Sequence, residues 1–160
     1  MRKLLRKAEH SVELGDHAAA EKYCKEYLSL NPSDKEGLRL LAFVYALARS
    51  HDEAIAFATQ VIQLSADKPE PSDYTDRGRW RLAIGDYIGA CADFSEVVAL
   101  SERYKDEYYL EAAYMHRAIS LARQGMVSAA EKDLEFVSDD CEVFALGELI
   151  SKAALLERLR

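Results

Sequence analysis

The chain has 160 residues, 49% hydrophobic and 31% charged, with a net charge of −7. That balance belongs to a soluble, folded chain with a sizeable core, not to a disordered one. No apolar run approaches the ~20 residues that cross a bilayer, and an acidic surface repels phosphate backbones, so membrane spanning and nucleic-acid binding are both set aside.

The opening Met1-Arg2-Lys3-Leu4-Leu5-Arg6-Lys7 is basic but has no apolar core of the signal-peptide kind, which points to a cytoplasmic setting. With three prolines and seven glycines, few places break a helix. Apolar residues recur at spacings of three and four, as in Leu38, Leu41, Val44, Tyr45 and in Ala54, Phe57, Ala58, Val61, Ile62. The pattern predicts helices over roughly 2–14, 17–30, 35–48, 51–64, 72–84, 87–103, 106–124, 127–137 and 141–158. In the last of these, Asp139 with Glu142 three residues on reads as a capping box.

The chain repeats itself. Gly15-Asp16-His17-Ala18-Ala19-Ala20 matches Gly85-Asp86-Tyr87-Ile88-Gly89-Ala90 and Gly125-Met126-Val127-Ser128-Ala129-Ala130, each followed by an apolar helical stripe. A fourth copy, Arg49-Ser50-His51-Asp52-Glu53-Ala54, lacks the glycine. Ala20, Ala54, Ala90 and Ala130 align, with Ala8, Ala42, Gly78 and Ala118 as small partners in the preceding helices. Side chains this small let two helices approach closely; enlarging them costs ~1–3 kcal/mol by overpacking. Two copies also share a pair that the others lack. Arg77 with Asp93, and Arg117 with Asp133, stand sixteen residues apart, whereas the first two copies have Lys7 with Tyr23 and Leu41 with Phe57. Each Arg–Asp pair is predicted to form a salt bridge joining the two helices of its copy.

These residues resemble the tetratricopeptide repeat, a helix–turn–helix unit of about 34 residues. The best match is Tyr74, Gly78, Gly85, Tyr87, Ala90 and Phe94; Gly15, Ala20, Leu28 and Pro32 carry it in the first copy. The resemblance covers about 1–138 as four units, at about 1–34, 35–68, 71–104 and 111–138. It implies an all-α fold, a right-handed superhelical solenoid of antiparallel helix pairs. Residues 139–160 are expected to form a capping helix over the exposed apolar face of the last unit.

The resemblance also implies that the first helix of each unit lines a concave groove. By position, the partner-binding residues are Arg39, Phe43, Leu47, Arg79, Leu82, Met115, Ile119 and Arg123. Two readings stay open: the apolar members grip a helix or extended segment of a client, or they pack on one another and on the cap. A Lys/Asn/Arg clamp for a C-terminal carboxylate is absent, because its positions hold Leu5, Glu9, Leu40, Ser72 and Asp76. Tyr104, Tyr108 and Tyr109 form a second candidate patch, or else a partly buried extension of the flanking helices.

Nothing in the sequence assembles chemistry. Cys24, Cys91 and Cys141 have no zinc spacing, the four histidines are scattered, and no phosphate-binding glycine motif occurs. No catalytic residue, metal or cofactor is therefore expected. The function expected is a non-catalytic adaptor binding a protein or peptide. Two concrete alternatives are a bacterial immunity protein masking a basic toxin domain and a secretion-type chaperone. The first draws on residues 81–160, which hold 15 acidic against 9 basic side chains. Finally, Val143, Phe144, Leu146, Leu149, Ile150, Leu155, Leu156 and Leu159 exceed one helical stripe. Either the cap tucks in on two sides or a homodimer forms through it.

Overall fold

The computed structural model describes residues 2–160. They form two compact units, one running to Lys68 and one spanning Pro69–Arg160. The first holds α1 (Arg2–Glu13), α2 (His17–Leu30), α3 (Lys35–Leu47) and α4 (His51–Leu64). The second holds α5 (Pro71–Ala83), α6 (Tyr87–Tyr104), α7 (Leu110–Arg123), α8 (Val127–Leu134), a β-hairpin of β1 (Glu142–Ala145) and β2 (Glu148–Ser151), and α9 (Lys152–Arg158).

Within each unit consecutive helices pack on one another, and the first helices of adjacent pairs, α1 with α3 and α5 with α7, also touch. Aspartates begin three helices: Asp16, Asp34 and Asp86 accept from the backbone N–H of Ala19, Gly37 and Gly89 at 3.0, 2.8 and 2.9 Å. The turns inside the helix pairs need a left-handed residue. Gly15, Gly85 and Gly125 supply it in three, and Arg49 adopts it at φ 61° where the repeat has no glycine.

Two predicted boundaries move, each for a local reason. Lys105, left-handed at φ 54°, ends α6, and the Asp106 carboxylate accepts from Tyr108 N at 3.0 Å. That side-chain turn delays α7 to Leu110 instead of about 106. At the end of α8 the backbone tightens: Phe136 N donates to Asp133 O and Val137 N to Leu134 O. Phe136 then stacks on Tyr114 with centroids 4.7 Å apart, so the helix stops at Leu134 and not at 137.

The capping helix expected over 141–158 is corrected by the structure. Residues 142–151 form an antiparallel hairpin in which Glu142 faces Ser151, Val143 faces Ile150, Phe144 faces Leu149 and Ala145 faces Glu148. Only Lys152–Arg158 is helical, and so the fold is nearly, not wholly, α. The cause is the Leu146-Gly147 turn, left-handed at both residues with φ 55° and 84°. That is the geometry of a two-residue hairpin turn, whose twist matches the strands. The expected capping box does not form. Asp139 instead pairs with Lys152 Nζ at 2.8 Å, and the cap of α9 is Ser151, whose Oγ accepts from Ala154 N at 3.2 Å.

Candidate functional site: the first-helix faces of the two units

Helix contact is set by the small residues. Ala8, Ala20, Ala42, Ala54, Ala90, Ala118 and Ala130 are all buried. At Gly78 an added Cβ would lie 2.9 Å from Phe94 Cζ and 3.2 Å from Asp93 Cβ, so α5 and α6 touch where no side chain fits.

The two predicted ion pairs are both present in the second unit. Arg77 Nη2 lies 2.6 Å from Asp93 Oδ1 and its Nε 3.0 Å from Oδ2. Arg117 Nε and Nη2 each reach an Asp133 oxygen at 2.7 Å. Sequence reasoning missed a third cation: Arg81 Nη1 donates to Asp93 Oδ2 at 2.9 Å and to the Gly89 carbonyl at 3.2 Å. Arg81 lies one helical turn beyond Arg77, and that spacing was its signal. Asp93 is buried, so charge-assisted bonds from both arginines are what keep its charge tolerable. In the first unit Tyr45 stacks flat on Phe57 at 5.6 Å and donates to Glu21, itself 2.6 Å from Lys25. The Lys25 and Tyr45 hydrogen bonds hold the Glu21 carboxyl below its usual range. Burial pushes the Cys24 thiol up to about 11, so it behaves as a small core hydrophobe.

The proposed groove residues divide between the units and meet different fates. On α3 of the first unit, Phe43 and Leu47 stand 46% and 39% exposed, with Arg39 half-buried one turn before Phe43. A small cavity of about 220 Å³ on the same unit is bordered by Arg2, Leu5, Arg6, Glu9 and Glu36, from α1 and α3.

In the second unit the equivalent face is closed, as in the second of the two readings left open for its apolar residues. Leu82, Met115 and Ile119 are buried in one core with Val143, Ala145, Ile150 and Leu155 of the C-terminal segment, and β1 touches both α5 and α7. Alternation decides which residues turn inward: Val143, Ala145 and Ile150 are buried, while the paired Phe144 and Leu149 face out. Polar ties hold the segment. Lys152 Nζ donates to the Val137 carbonyl and to Asp139, both at 2.8 Å, and Arg158 grips Glu148 through two bonds of 2.8 and 3.1 Å. Beneath β1, His116 donates from Nδ1 to the Ala112 carbonyl at 2.7 Å and stacks on Phe94 at 5.0 Å. Burial holds its pKa below the ordinary value of 6.5, outweighing the pull of the Ala112 and Phe144 backbones.

Arg79 and Arg123 are exposed. Of the tyrosine patch, Tyr108 is exposed and meets Tyr109 edge-to-face at 4.8 Å, Tyr109 is half-buried, and Tyr104 donates to the Pro69 carbonyl at 3.2 Å. Among the described residues no group of three His, Cys, Asp or Glu side chains is placed to hold a metal. Among the described residues no helix is long and apolar enough to cross a membrane.

Paired helices with small residues at their crossings and left-handed turns between them define a helical repeat fold. Structures already solved show the same fold. MamA (residues 41 to the end) from Desulfovibrio magneticus RS-1 superposes with a TM-score of 0.74 at 17% identity, covering 84% of this chain and 72% of that one. A putative kinesin light chain from Podosopora anserina, with nearly identical TPR-like repeats, gives 0.69 at 17% identity, over 84% and 71%. In sequence, tetratricopeptide repeat protein 34 of Mus musculus is 28% identical over 110 residues, 66% of this chain and 20% of that protein. The chain thus spans about a fifth of the length of that curated relative. No family model matches the chain. The fold is the tetratricopeptide-type helical repeat, with a β-hairpin and a short helix at its C-terminal end.

Proposed function

We propose that the chain is a non-catalytic protein-interaction module, working in the cytoplasm, that binds one protein client on the α1/α3 face of its first unit. One contrast carries the reading. Phe43 and Leu47 lie open on α3, whereas Met115 and Ile119, on the second unit's corresponding face, are 0% and 1% exposed beneath the chain's own hairpin. An aromatic and a leucine one turn apart, beside an arginine, suit the apolar side of a helical or extended segment. Arg2, Arg6, Glu9 and Glu36 border the same face, so polar partners of either sign are at hand.

The test separates binding from folding. A client is captured with the full chain, and its affinity is measured for Phe43→Ala. Loss of about 2 kcal/mol or more with an unchanged Tm supports the reading. A Tm loss without a change in affinity makes Phe43 core and ends it.

A second reading, an immunity protein masking a basic toxin domain, is favoured by the acid excess of residues 81–160. It requires affinity that falls steeply with salt. A groove-bound segment of the chaperone kind shows weak salt dependence. Of the surplus apolar residues of the C-terminal segment, Val143, Ile150 and Leu155 are buried in the second unit's own core, and a homodimer through this segment would rest on the exposed pair Phe144 and Leu149.

A further inference from the structure

We propose that a cavity beside the C-terminal hairpin binds an aliphatic carboxylate, its chain inside and its head group on Arg123. The cavity, of about 500 Å³, belongs entirely to the second unit. It is of the size that small-molecule sites take. It is a different surface from the client-binding face of the first unit, and its failure leaves that reading untouched.

The walls choose an apolar chain. The cavity's lining is largely aliphatic: the buried Ile119, Ile150 and Leu155, with Val127, Leu146 and Leu159. None of these side chains donates or accepts a hydrogen bond. A peptide threaded here strands its own N–H and C=O groups away from water, at a cost that a saturated chain does not meet.

The mouth chooses the head group. It carries Arg123, Arg158 and Glu148. Glu148 is already taken by Arg158 through the two bonds described above, which leaves one guanidinium over. Arg123 is exposed; after the Arg158 bonds, its charge helps to hold the Glu148 carboxyl below its usual range, but it makes no ion pair among the described residues, so the two arginines outnumber the one carboxylate. In a chain of net charge −7, a cation left over at the mouth of an aliphatic cavity is complementary to a carboxylate. A guanidinium holds a carboxylate through two parallel bonds, as Arg158 holds Glu148.

Leu146 adds an independent sign. It occupies the first turn position at φ 55°, where a side chain other than Asn, Asp or Gly meets a steric penalty. Its side chain lines the cavity, so the turn carries backbone strain in order to present an apolar wall.

The full chain is titrated with decanoate, with decanol as its uncharged counterpart, and with an N-acetylated peptide ending in leucine as an amide-bearing carboxylate. Binding is followed through labelled methyl resonances. The Leu146, Ile150 and Leu155 methyls shift with decanoate, which binds at least about tenfold more tightly than decanol; Arg123→Gln removes that difference. Leu146→Gly, which relieves the turn and opens the wall, weakens both ligands. The proposal is overturned if decanoate shifts none of these methyls below its micellar concentration, or if decanol binds equally well. It is also overturned if Arg123→Gln leaves decanoate affinity unchanged, or if the peptide binds more tightly than decanoate.

Discussion

At the residue scale, the two ion pairs differ in what is left when one partner is removed. Asp133 is held by two nitrogens of Arg117, Nε and Nη2, while Asp93 has Arg77 and Arg81. Breaking a largely buried pair is costly because the surviving charge is stranded. Arg117→Met is expected to cost ~3–5 kcal/mol in the second unit, and Arg77→Met clearly less, since Arg81 still holds Asp93. Chemical denaturation of both variants checks the order; equal losses show that Arg81 does not compensate. His116 adds a pH signature. Burial lowers its folded pKa below 6.5, and Arg79 pushes the same way while the Ala112 and Phe144 backbones oppose. The unfolded chain therefore takes up a proton that the folded chain refuses. The neutral ring's stabilisation is complete above 6.5 and is lost as pH falls toward the lower folded value. Tm is expected to drop as pH falls below 6.5, and His116→Met to flatten that slope. Glu21 and Asp139, whose carboxyls are also lowered, act only below their ordinary values of 4.5 and 3.8 and do not blur the window.

At the element scale, the helices of the repeats were legible because period, small residues and turn glycines agreed. The Arg–Asp pairs were legible because both members appear together or not at all. The C-terminal element was not, and the reason is physical. Val143, Leu146, Ile150 and Ala153 satisfy a helical spacing, and the same residues 142–151 also divide into two short strands around Leu146-Gly147. A glycine inside a supposed helix, costing ~1 kcal/mol there, was the signal against it. Leu in place of the usual Asn or Asp hid the turn. The closed state of the second unit's first-helix face was illegible for the same reason, since it depends on what the hairpin covers. A Cβ added at Gly147 meets no atom within 4 Å beyond its chain neighbours, so Gly147→Ala tests backbone strain alone. At φ 84° an alanine is expected to destabilise the second unit by ~1 kcal/mol or a little more. A denaturation midpoint unchanged by that substitution shows that the turn relaxes freely.

At the scale of the whole molecule, the question is whether the C-terminal segment is a wall or a lid. Val143, Ile150 and Leu155 are buried in the core they share with Leu82, Met115 and Ile119. Burying one such side chain is worth ~1.5–3 kcal/mol, so these three contribute ~5–9 kcal/mol as an upper estimate. That rivals the ~5–15 kcal/mol by which a whole domain is stable. A client competing for this face must replace all of it, as well as the Lys152 bond to the Val137 carbonyl; the Arg158–Glu148 pair lies within the segment and moves with it. The magnitude favours a wall. Removing residues 139–160 is then expected to unfold the second unit, with loss of its share of helical circular dichroism and binding of a hydrophobic dye. The helices of the first unit should persist, because their core of Ala8, Cys24 and Leu41 contains nothing from the deleted segment. Amide exchange separates the two units: fast exchange from α5 to α8 with protection kept in α1 to α4 is the wall. A truncated chain that keeps every helix protected, and gains affinity for a client through the uncovered Met115 and Ile119, makes the segment a lid and moves the binding face to the second unit.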